Sequence, residues 1–165
     1  MLAALLPNAA AASPSLAQVD AVARASGNSK ALAVRIGRSI FTVEWPAQVI
    51  NVYVDHIGKR SVAGLKISGS HFHRPLTRRA FTLEIADLVK RAFAAAPVEE
   101  VDAWAVVPLS VGKGVVVSGD LAKPTSRTVF TISVRRGEDV GKMRSRMETG
   151  RGVFWDQEWA RTALK

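Results

Sequence analysis

The chain has 165 residues, 48% hydrophobic and 22% charged, with 23 Lys and Arg against 14 Asp and Glu and a net charge of +9. That length and apolar content fit one domain with a core of its own and exclude a disordered chain. There is no Cys, which removes disulfides, thiolate metal centres, iron–sulfur clusters and cysteine nucleophiles together. No apolar run reaches the roughly 20 residues of a membrane-spanning helix.

Residues 1–18 (MLAALLPNAAAASPSLAQ) carry no charge. Leu2, Leu5 and Leu6 lead, Pro7 interrupts, and small residues follow, a pattern that resembles the second half of a secretory signal peptide. Ser15-Leu16-Ala17 and Ala10-Ala11-Ala12 both offer the small-x-small pattern that precedes a cut. The expectation is an exported protein, periplasmic or secreted, with residues 1–17 as the remnant and 18–165 as a single domain. The alternative is a disordered tail on a cytoplasmic protein, since no Lys or Arg leads the segment and its apolar stretch is short.

Residues 15–25 place Leu16, Val19, Val22 and Ala23 at helical spacing, and Gly27-Asn28 ends the run. Over 31–68 the period changes to two. Leu32, Val34 and Ile36 alternate with small or charged neighbours, as do Phe41, Val43 and Trp45, then Ile50, Val52 and Val54, then Ala63, Leu65 and Ile67. With short breaks at Gly37-Arg38, Pro46 and Gly58-Lys59, this predicts four antiparallel strands with one wet face.

Residues 77–96 predict the longest helix. Phe81, Ile85, Leu88, Val89 and Ala92 form its apolar stripe, Thr77 is its N-cap, Asp87 and Arg91 pair at i,i+4, and Pro97 stops it. Residues 101–109 (VDAWAVVPL) are nearly all apolar, as in a central strand covered on both faces. Gly112-Lys113-Gly114 predicts a turn, 115–117 a short strand, and 120–126 a loop. Residues 127–136 alternate through Phe130, Ile132 and Val134. Residues 138–149 predict a helix, acids first and bases last as its dipole favours, with Val140, Met143 and Met147 on one face. Residues 155–164 predict a short terminal helix. Together these elements predict an α+β fold: a mainly antiparallel sheet of about six to seven strands, with one long helix and short C-terminal helices packed on one face.

The charge is uneven: zero over residues 1–29, +3 over 30–60, +4 over 61–96, −2 over 97–123 and +4 over 124–165. A basic face on the folded domain follows, rather than a basic tail. Its densest stretch is SGSHFHRPLTRR, residues 68–79, which brings His71, His73, Arg74, Arg78 and Arg79 to the start of the long helix. Cations there oppose the helix dipole, so local helix energetics do not select them. Exposed N–H groups and guanidinium forks together suit a phosphate, a carboxylate or an acidic polymer. The site predicted is therefore an anion site, with an anionic ligand or cell-envelope component as partner, no cofactor and no evident catalytic centre. Solvation, or pairing with Glu99, Glu100 or Asp102, is the plainer reading of the same residues.

Two further functions fit less of the sequence. One is a cytoplasmic nucleic-acid-binding domain using the same basic face. It lacks an evident stacking platform, since Tyr53 alone falls on the wet face while Phe41, Trp45 and Phe130 fall on the core side. The other is a metal-dependent hydrolase, in which Asp55, His56, His71 and His73 hold zinc with an open position, although neighbouring arginines repel a cation. A two-carboxylate nuclease site fails because Gly64 stands where the second acid belongs, and no Gly-x-Ser-x-Gly elbow or phosphate-binding loop is present. Glu100 and Asp102 share a strand face and serve to solvate the strand start. Phe154, Trp155 and Trp159 form an aromatic group that docks on the core, with a contact to anionic lipid as the alternative.

Overall fold

A computed structural model describes residues 29–109 and 126–165. In chain order the elements are α1 (Ser29–Phe41), β1 (Ala47–Ile57), β2 (Arg60–Phe72), α2 (Arg78–Ala95), β3 (Glu100–Pro108), β4 (Ser126–Arg135), α3 (Val140–Thr149), β5 (Val153–Trp155) and α4 (Gln157–Ala163). The expected cleavage sites, the helix over 15–25 and the turn and strand over 112–117 lie outside the described residues.

The fold is α+β, with one mixed sheet of five strands in the order β1-β2-β3-β4-β5 and four helices among the described residues. The first predicted strand is the helix α1, and the second is the loop that follows it. Leu32, Val34 and Ile36 read as alternation, but Leu32, Ile36 and Ile40 also stand at i, i+4 and i+8. Those three are buried while Val34 is 41% exposed, so the helical period is the one the core uses. Phe41, expected inside, ends the helix facing solvent at 63% exposure. The sheet is mainly antiparallel, as expected, but among the described residues it has five strands rather than six to seven, and one of its four pairings, β2 with β3, is parallel. The 18-residue α2 between them is long enough for the crossover that a parallel pair requires.

Of the expected apolar side of β1, Val54 is buried and Val52 partly buried, whereas Ile50 is 50% exposed. β1 and β2 form a hairpin through Gly58, whose φ of 64° suits glycine in a tight turn. Thr77 caps α2 by accepting from the Ala80 N–H at 3.0 Å, and Asp87 meets Arg91 at 3.3 Å one turn apart. The far end of α2 is held differently: Arg136 donates to the carbonyls of Phe93, Ala96 and Val98 at 3.0, 2.6 and 2.7 Å, placing a cation where the helix dipole is negative.

One face of the sheet carries the core. Ala63, Leu65 and Ile67 of β2, Val101, Ala103 and Ala105 of β3, and Phe130, Ile132 and Val134 of β4 bury against residues of all four helices. Val140 was expected to join Met143 and Met147 there but is 42% exposed; only the two methionines of α3 reach the core. Residue 155 belongs to β5 rather than to the terminal helix. Trp155 and Trp159 nonetheless dock on the core, Trp155 donating to the Met147 carbonyl at 3.0 Å and Trp159 to the Gly69 carbonyl at 2.7 Å. Phe81 of α2 packs edge-on against both indoles and Phe130, at centroid distances of 5.9, 5.5 and 5.2 Å. This aromatic cluster fixes the first turn of α2 against the C-terminal elements.

Candidate functional site: an arginine-lined cavity between two helices

The basic stretch 68–79 spans the end of β2, a connecting segment and the first turn of α2, and the fold divides its side chains. His71 stays with its own neighbours: its Nδ1 lies 3.1 Å from the Ser70 hydroxyl and 3.3 Å from that of Ser68. His73 is tied by its backbone N–H to the Pro46 carbonyl at 2.8 Å and lines a shallow hollow with Phe41, Glu44, Trp45 and Gln48. Arg74 lines a second hollow with Glu44, Trp45, Glu84 and Asp87. Arg78 and Arg79 line a third.

That third hollow is a cavity of about 410 Å³ formed by Arg78, Arg79 and Thr82 of α2 with Arg144 and Glu148 of α3. The Arg78 guanidinium lies 4.4 Å above the Trp155 ring, which fixes its plane while leaving its N–H edges free of that contact. Arg144 is partly buried, and its Nε–H is out of reach of water with no hydrogen-bond partner among the described residues. A buried donor without an acceptor is costly. The Thr82 hydroxyl gives its hydrogen to the Arg79 carbonyl at 2.8 Å, so it meets a ligand as an acceptor. Three guanidiniums and one carboxylate thus share one concavity. None of the three makes an ion pair among the described residues.

Of the acids weighed as internal partners, Glu99 and Glu100 are engaged at the opposite end of the sheet and Asp102 lies on its far face. The register pairs Val62 with Glu100, next to the β1–β2 turn. Glu99 accepts from the backbone N–H of Ser61 at 2.6 Å and from its hydroxyl, and these bonds hold its carboxyl below the usual range. Glu100 takes Arg60 at 3.1 Å and Arg135 at 3.9 Å. Asp102 lies beside Tyr53 on the sheet face away from the helices, and burial, then Asp102, then Asp55 push the Tyr53 hydroxyl up. The basic stretch is therefore not neutralised by Glu99, Glu100 or Asp102.

The four residues weighed as zinc ligands do not meet. His56 pairs with Ser61 beside the turn, whereas His71 stands ten residues further along β2, roughly 33 Å at the rise of an extended strand. The His56 ring instead lies 3.0 Å from the Ser29 hydroxyl at the start of α1. Among the described residues no three His, Asp or Glu side chains converge as a metal site.

Reasoning from the sequence missed Arg144, Thr82 and Glu148. Their one signal was position: residues 144 and 148 are each one step along α3 from Met143 and Met147, so they flank the seam where α3 meets its neighbour. Comparison of the chain with protein-family models, curated proteins and solved structures finds no match.

Proposed function

We propose that this chain is a small exported basic α+β domain without a catalytic centre, and that it binds an anionic ligand or cell-envelope component in the cavity between α2 and α3. The observation that carries the reading is the convergence of Arg78, Arg79 and Arg144 from two helices on one hollow. Guanidiniums bind phosphate and carboxylate oxygens in paired, planar fashion, and the partly buried setting of Arg144 strengthens each such bond over its value in water. Arg78 is oriented by Trp155, Arg79 stands on the same helical turn, and Arg144 faces them from α3 across the cavity. Glu148 at the same cavity disfavours a ligand that is anionic over its whole surface and favours one with a hydrogen-bond donor beside its anionic group.

The test is calorimetric titration of the full chain with inorganic phosphate and pyrophosphate at low ionic strength. Arg79→Gln combined with Arg144→Gln is expected to weaken binding by about tenfold or more, the equivalent of about 1.4 kcal/mol. Arg78 is left in place because its contact with Trp155 also supports the core. Equal affinity in the parent and the double variant refutes the assignment, as does the absence of binding by either anion. The same expression reports on export: a mature N-terminus at Gln18 or Ser13 supports it, and an intact Met1 opposes it.

A further inference from the structure

The sheet face opposite the helices carries a second arrangement. Pairing in register places Asn51, Lys66, Trp104, Thr131 and Phe154 in one row across all five strands, one residue from each. Tyr53, Gly64, Asp102 and Ser133 form the neighbouring row. Successive residues of a strand alternate between faces, so both rows lie opposite the core residues Leu65, Ala103 and Ile132. Tyr53 is 38% and Phe154 51% exposed, and Trp104 is partly buried between them.

Gly64 explains the posture of Tyr53. A methyl group built on Gly64 runs into the Tyr53 ring, so the phenol lies across the bare Cα of the glycine. From there it meets Trp104, with centroids 5.4 Å apart and planes tilted by 58°. A glycine in a strand interior lacks packing value and marks a close approach; here the approaching group is an aromatic ring laid down on the sheet. Around this pair stand Asn51, Lys66, Asp102, Thr131 and Ser133. Asp102 Oδ1 is out of reach of water and lacks a hydrogen-bond partner among the described residues.

We infer that this face binds a neutral saccharide chain, with pyranose rings stacked on Tyr53 and Trp104 and hydroxyl groups bonded to Asn51 and Lys66. Aromatic platforms take either nucleobases or sugar rings, and the local charge decides between them. Lys66, Arg60 and Arg135 are balanced by Asp55, Glu100 and Asp102, and both arginines turn to Glu100. A nucleic acid needs cations that follow its phosphates, whereas a sugar brings no charge and suits a face whose charges are already balanced. Phe154 extends the same row two strands beyond Trp104, roughly 10 Å away at ordinary strand spacing.

The experiment titrates the full chain with cellohexaose, with chitohexaose and, as a polyanion, with a uridine decamer. It follows the amide resonances of Asn51, Lys66, Trp104 and Thr131 and the indole N–H of Trp104. One of the two saccharides at millimolar concentration is expected to move these signals, with little dependence on salt. Trp104→Ala and Gly64→Ala are each expected to lower the affinity about tenfold, the scale of one lost aromatic stack. Gly64→Ala keeps every aromatic residue and displaces only Tyr53, and its thermal unfolding confirms that the fold persists. Arg79→Gln should leave saccharide binding unchanged. The inference is overturned by silence toward both saccharides, by a response confined to the uridine decamer, or by undiminished binding in Gly64→Ala.

Discussion

Replacing Glu84 by Gln should stabilise the protein above neutral pH and do little below pH 4. Glu84 sits in the second turn of α2, is 7% exposed, and has no hydrogen-bond partner for either carboxylate oxygen among the described residues. Burial pushes its carboxyl up to about 7, while the Ala47 backbone N–H and the Arg74 guanidinium pull the other way without meeting it in full hydrogen-bond geometry. Glu44 and Asp87 line the same hollow and add negative charge, and Asp87 is itself paired with Arg91. Between the ordinary value of 4.5 and about 7 the folded state holds a proton that the unfolded chain has released. Stability from this residue is therefore complete below pH 4.5 and is lost as pH rises through 7. The interval corresponds to an upper bound of about 3.5 kcal/mol, from about 1.4 kcal/mol per unit. Urea unfolding of the parent and of Glu84→Gln, run from pH 4 to pH 8, gives the difference directly. Carboxyls held low in the fold, such as Asp156 at the cap of α4, impose the opposite trend on both proteins and cancel in the comparison. A stability difference that stays flat across this range refutes the reasoning.

Two further substitutions probe the fold. Ile36→Ala should cost about 2–5 kcal/mol in denaturant unfolding and Val34→Ala well under 1 kcal/mol, since Ile36 is fully buried and Val34 faces outward on α1; equal costs would return residues 31–36 to a strand. Arg136→Gln removes the cation that holds three carbonyls at the end of α2, and should lower the unfolding free energy by about 1–2 kcal/mol with α2 amides near residue 95 exchanging faster. An unchanged exchange pattern would show that the packing of α2, not Arg136, secures that end.

What the sequence reveals and what it hides divide along one physical line. Residues 77–96 were legible because stripe, cap and stop lie within one element, and each is a local preference that the tertiary structure also uses. Residues 29–41 were not, because Leu32, Val34 and Ile36 satisfy two periods at once, and only the neighbouring α2 and β1 decide which side chains have a core to enter. The parallel pairing of β2 with β3 depends likewise on where α2 packs. The candidate sites follow the same division. The arginines of residues 74–79 are adjacent in sequence, yet the turn from β2 into α2 sends Arg74 to one hollow and Arg78 and Arg79 to another. The third guanidinium of the cavity comes from Arg144, 65 residues beyond Arg79. On the open face, Tyr53, Gly64 and Trp104 acquire a shared meaning only when the register sets them side by side. A run of like charges therefore identifies which side chains are available, while the seam between two helices decides which of them act on the same ligand.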